Sequence, residues 1–168
     1  MREVRHTALR TVALLAALLF ASAFSLNVRA DNWSLLSSNG IRISLNGLHG
    51  KWVLVNFWAP WCPPCLAEMP DLVKMQERHK DLQVIGVAVM YRARQDVTNV
   101  VKNKAISYPI VFGNEDIASD FGGVSGLPTS FLYSPSGKLV GQHQGPLTRQ
   151  QLEQAMDGST AAFKDQDY

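Results

Sequence analysis

Two hydrophobic periods alternate along this chain. Trp52 to Trp58 is a near-continuous run of β-branched and aromatic residues, the pattern of a strand buried on both faces. Leu82 to Met90 repeats that pattern. Between them, Leu66, Met69, Leu72, Val73 and Met75 sit at helical spacing up to about Lys80, with Pro70 expected to kink the helix. Asp96 to Lys104 reads as a second helix with Val97, Val100 and Val101 on one side. Pro109 to Phe112 is a short strand, and Asn114 suits the cap of a brief helix to about Phe121. Thr129 to Tyr133 and Lys138 to Gln144 flank Ser134-Pro-Ser-Gly137, which predicts an antiparallel hairpin. Thr148 caps a last helix to about Met156. Ahead of all this, Ile41 to Leu45 alternates at period two, as a short strand does. From Trp52 onward the order is β-α-β-α-β-α-β-β-α, an α/β chain whose mixed sheet lies between helices.

The first thirty residues follow a different pattern. Arg2, Arg5 and Arg10 precede an unbroken apolar run from Val12 to Phe20, and small residues follow at Ala21-Ser-Ala23 and Val28-Arg-Ala30. This is the layout of an export signal, with cleavage expected after Ala30. The alternative is an uncleaved membrane anchor, for which Val12 to Val28 is at the short limit of a bilayer span. The leader also changes the charge. The whole chain of 168 residues carries +2, but residues 1–30 hold four arginines and one glutamate, so the remainder carries −1. No basic footprint for nucleic acid remains. Residues 31–157 are expected to form one domain, and 158–168 a flexible tail.

The chain has two cysteines, Cys62 and Cys65. A bond between residues so close restrains little of the unfolded chain, which makes it a poor staple and points to redox chemistry. The pair ends a buried strand and opens a helix, where unpaired backbone N–H groups and the helix dipole favour a thiolate. Cys62 is expected to be the exposed nucleophile, and Cys65, one turn inward, the residue that resolves the mixed disulfide. Pro63 and Pro64 carry no N–H and no charge, so Cys65 and Leu66 must supply the nearby donors. The dipeptide therefore suits a fairly reducing pair. Zinc would need more ligands than two thiols, and His49, His79 and His143 have no metal-like spacing, so no metal site or cofactor is expected. Copper(I) binding by the same two thiols is the competing reading. A thiol peroxidase would need Thr and Arg near its cysteine, whereas Cys62 lies between Trp61 and Pro63.

At these residues the chain resembles the thioredoxin superfamily, and within it the exported TlpA/ResA-like branch. The resemblance covers about residues 35–155. It is carried by Asn56-Phe-Trp-Ala59, Trp61-Cys-Pro-Pro-Cys65, Glu68-Met-Pro70 and Gly126-Leu-Pro-Thr129. It implies a thioredoxin-like fold and exchange of a disulfide with protein substrates outside the cytoplasm. It also implies a membrane thiol–disulfide electron donor and clients such as those of cytochrome c maturation. Pro128 is implied to have a cis bond beside the disulfide, with Leu127 offering backbone groups to a bound chain. Trp61 and Pro63 complete the candidate substrate contacts.

Asn56 stands where thioredoxins have a buried, titratable Asp, and an amide cannot accept the Cys65 proton. The resemblance gives that role to Glu68, which at i+3 from Cys65 can share its helix face. The bland alternative is an exposed glutamate that favours the helix dipole. Trp58 has two readings, core or site. Asn56 is expected to bond neighbouring backbone. The glycines of Phe121 to Gly126 suggest a looser loop, and Arg92 and Arg94 are either substrate contacts or solvated charges.

Overall fold

The computed structural model describes residues 33–163. The expected leader, its cleavage site and the last five residues of the expected tail lie outside them.

Two short strands open the fold. β1 (Ser34–Leu36) and β2 (Arg42–Ser44) pair as an antiparallel hairpin of their own. The principal strands and helices follow as β3 (Trp52–Trp58), α1 (Pro63–Arg78), β4 (Leu82–Ala88), α2 (Arg94–Asn103), β5 (Ile110–Phe112), α3 (Glu115–Asp120), β6 (Thr129–Tyr133), β7 (Leu139–Gln144) and α4 (Arg149–Met156). From β3 onward this is the order expected from the pattern. The five-stranded sheet runs β5-β4-β3-β6-β7. β3, β4 and β5 are parallel, while β6 and β7 are antiparallel to their neighbours. The buried run of β3 therefore occupies the centre. The opening hairpin is tied to edge strand β5 by the Ser37–Val111 bridge and by Ser38 N–H donating to Ile110 O at 2.6 Å.

Each face of the sheet has its own core. Leu54 and Leu132 pack with Met69, Leu72 and Met75 of α1, Val97 of α2 and Leu152 of α4. Val53, Val55, Phe57 and Phe131 pack on the other face with Phe121 and the opening segment through Trp33 and Leu35. Phe121 lies 5.2 Å from Phe57, 5.4 Å from Phe131 and 5.6 Å from Trp33 between ring centroids.

α1 begins at Pro63, so the cysteine pair opens the helix as expected; prolines fit the first helical positions, where an N–H has no helical partner. It then runs through Pro70 as one helix. The segment after Gly158 is not loose throughout, since Phe163 is buried against the α1–α4 core and its ring meets His143 at 5.8 Å. An aromatic ring so close to the chain end gains more from burial than the polar residues around it lose.

Candidate active site

Cys62 is the N-cap of α1, with Pro63 and Pro64 as its first two helical residues. Neither proline has an amide hydrogen. Leu66 N–H, one of the two donors expected near the Cys62 sulfur, instead donates to the Cys62 carbonyl at 3.1 Å. The two cysteines form a disulfide, with Cα atoms 5.3 Å apart. Cys65 is fully buried. Cys62 was expected to be exposed, yet it is only 3% so. The reason is its place in the fold: it sits at the wall of a groove, not on a protruding loop. That groove, about 790 Å³ in volume, is lined by Trp61, Cys62, Met90, Val124, Gly126 and Leu127, among others.

The Leu127–Pro128 bond is cis. Pro128 is buried and Leu127 half-buried at the groove, while Pro63 is exposed beside Cys62. The loop is tied at both ends: Thr129 Oγ1 donates to Gly126 O at 2.7 Å, and Gly145 N–H donates to Pro128 O at 2.8 Å. Trp61 is 59% exposed, and its indole N–H donates to Met90 O at 2.7 Å. Trp58 belongs to the core.

Glu68 lies one turn beyond Cys65 and is only 5% exposed, so it is not the solvent-facing glutamate of the bland alternative. Its Oε1 accepts from Asn56 Nδ2 at 2.8 Å, and its Oε2 accepts from Leu147 N–H at 2.8 Å. Asn56 Nδ2 also donates to Ser130 Oγ at 3.0 Å. The Asn56 amide thus reaches side chains, not the neighbouring backbone as expected. Desolvation raises the Glu68 pKa above the ordinary 4.5; the Leu147 and Asn56 hydrogen bonds and the charge of His143 oppose that rise without cancelling it. Burial also pushes the Tyr108 hydroxyl upward, and the nearby Glu68 adds to the effect.

The sheet register explains this assembly. Gly86, Asn56, Ser130 and His143 oppose one another in turn across β4, β3, β6 and β7. Gly86 makes room in that row: a Cβ there would lie 3.0 Å from Tyr108 Cε2 and 3.2 Å from Trp58 Nε1. Asn56 Oδ1, Trp58 Nε1 and the Tyr108 hydroxyl are buried with no hydrogen-bond partner among the described residues. Sequence reasoning missed Ser130, Tyr108, Met90 and the Leu147 amide. Asn56 alone gave a signal, as a polar residue inside an apolar strand. Arg94 lies over the Phe112 ring at 4.8 Å and is already engaged, whereas Arg92 is exposed. Among the described residues, no three His, Cys, Asp or Glu side chains gather as a metal site.

Residues 26–142 match the AhpC/TSA family. The chain belongs to that family. It is 32% identical to the thiol-disulfide oxidoreductase ResA of Bacillus subtilis, across 94% of this chain and 95% of that one. The ResA of Halalkalibacterium halodurans is 35% identical, across 77% and 74% of the two chains. A crystal structure of a thiol:disulfide interchange protein of the thioredoxin family from Chlorobium tepidum superposes with a TM-score of 0.67 at 32% identity. That match covers 75% of this chain and 91% of the other. The fold is thioredoxin-like, and the protein is a thiol–disulfide oxidoreductase whose redox pair is Cys62–Cys65.

Proposed function

We propose that this protein is an exported reductant of protein disulfides. The observation that carries the reading is the placement of the Cys62–Cys65 pair at the wall of a groove large enough for an extended peptide, with the cis-proline loop alongside. In the reduced protein, the Cys62 thiolate attacks a client disulfide, forming a mixed disulfide and releasing one client thiolate. Cys65 then gives its proton to Glu68 and attacks the Cys62 sulfur. The Cys62–Cys65 bond forms, the second client thiolate leaves, and two electrons have passed to the client. Burial of Glu68 one turn from Cys65 supports its role as proton acceptor. Leu127 would align the client backbone, Pro128 would hold that edge beside the disulfide, and Trp61 and Pro63 would flank the point of attack.

The reducing direction rests on Pro63 and Pro64, which bring neither charge nor imidazole to stabilise a Cys62 thiolate. The leader pattern of residues 1–30 supports action outside the cytoplasm, most naturally in a periplasm, with release or retention on the membrane set by its cleavage. A membrane thiol–disulfide donor would restore the dithiol, and clients of cytochrome c maturation are those that the TlpA/ResA-like resemblance implies.

The test is the reduction potential of the Cys62–Cys65 couple in defined redox buffers, read by thiol trapping. A value of about −270 mV or lower supports the reductant. A value near −120 mV makes the protein a disulfide-forming oxidant and overturns the proposed direction.

A further inference from the structure

We propose that Met90 determines client preference at the redox groove, its thioether receiving an apolar side chain next to the client's cysteine. The inference rests on the reading above that the client is a polypeptide, and it names what that groove selects.

β4 ends at Ala88, and Val89 N–H still donates to Trp58 O at 2.9 Å. The next residue turns sharply: Met90 has φ 52°, in the left-handed region that an L-residue occupies only at a cost. That turn presents the Met90 carbonyl to the Trp61 indole, at 2.7 Å, and so fixes the aromatic ring next to Cys62. It also leaves the Met90 side chain 69% exposed. Two unfavourable features therefore coincide at one residue. Glycine would supply the same carbonyl without the backbone cost or the exposed apolar surface. Nothing in the fold's own packing needs the thioether.

The other large exposed apolar residues among those described are Leu36 and Ile41 of the opening hairpin, and Trp61. Met90 and Trp61 both line the groove that Cys62 lines, with Leu127 and Val124 adding apolar wall. No Lys or Arg lines it, and Glu115 does. Arg92 lines only the adjoining depression beyond Trp61 and Tyr91, beside Asp96, so within the groove an acidic client side chain would meet a like charge, whereas an apolar one finds thioether, indole and aliphatic surface. Methionine, unbranched and polarizable, accommodates several apolar shapes. The selected feature is therefore apolar character beside the cysteine, not one particular side chain.

The test compares second-order rate constants of the pre-reduced protein with two peptide disulfides that differ only beside the cysteine, Leu in one and Ser in the other. Wild type should prefer the Leu peptide by about tenfold, the scale set by burying part of an apolar side chain. Met90→Gly should abolish most of that preference while its melting temperature stays level or rises, because the left-handed strain is relieved. Met90→Leu should keep the preference. Equal wild-type rates for the two peptides, or a Met90→Gly variant that retains the preference, would overturn the inference while leaving the polypeptide-client reading intact. If wild type reduced 5,5′-dithiobis(2-nitrobenzoate) but neither peptide, the client reading would fall and take the inference with it.

Discussion

Alternate residues of β3 face two different worlds. Val53, Val55 and Phe57 enter a core of aromatic and aliphatic side chains shared with Phe121, Phe131 and Trp33. Leu54, Asn56 and Trp58 face α1, where Glu68, Ser130 and Tyr108 are also buried. On the first face the buried Thr129 hydroxyl is tied to Gly126 O. On the second, three polar atoms have no partner among the described residues, against one, Trp33 Nε1, on the first, and a carboxyl is held against its hydration. A buried polar atom without a partner costs about 1–3 kcal/mol. The comparison teaches that one sheet can divide its burden by residue parity: the aromatic face is mostly apolar, while the face toward α1, whose core includes Cys65, buries most of the polar and titratable groups at a cost in stability.

Substitutions on the two faces should separate these tasks. The largest effect is expected from Phe131→Ala, which opens a cavity in the aromatic face and should cost about 3–5 kcal/mol in urea unfolding. Its reduction potential should stay at the wild-type value, and a shifted potential would break the division of labour. Gly86→Ala adds a methyl 2.8 Å from Ile110 Cδ1 and close to Tyr108 and Trp58. It should cost about 1–3 kcal/mol by overpacking, read by the same unfolding assay.

Glu68→Gln sharpens the comparison through pH. The folded Glu68 pKa is raised, so the folded protein holds a proton that the unfolded chain has released. Its contribution to stability is fully present below about pH 4.5 and is lost as pH rises through the folded value. Within that window wild type should lose up to about 1.4 kcal/mol per pH unit relative to Glu68→Gln, measured by unfolding at a series of pH values. Parallel curves would show that Glu68 binds its proton equally well in the folded and unfolded chain, so that burial does not raise its pKa. Ser130→Ala should have the smallest effect, about 1 kcal/mol or less, because it removes one acceptor from an Asn56 amide that keeps its bond to Glu68.

Much of this was legible in the sequence, for physical reasons that differ by element. β3 and β4 declare themselves because a strand buried on both faces must be apolar at every position. Cys62 and Cys65 declare themselves because so short a loop makes a bond useless as a staple. Glu68 could be suspected from its spacing, but its burial could not, since that depends on α4 and the preceding loop closing over α1. The Leu147 donor left no trace at all, being a backbone amide whose side chain has no part in the bond. β1 was too short to show a period. Met90 looked like the last residue of an apolar run, because a left-handed turn is invisible in a residue type that does not favour it. Phe163 was lost among polar neighbours.

The bond from Leu147 to Glu68 spans 79 residues of chain. It follows that the surroundings of Glu68 are completed only after residue 147 has been synthesised. A nascent chain emerging from its N-terminus exposes both cysteines and the carboxyl long before residue 147 exists to meet it. Until then Glu68 lacks one of the two hydrogen bonds to its carboxyl oxygens, and the loop that carries Leu147 cannot cover it. Both hydrogen bonds to the carboxyl are possible only once residue 147 has been made, so a chain that stops short of it carries the cysteine pair with Glu68 incompletely bonded.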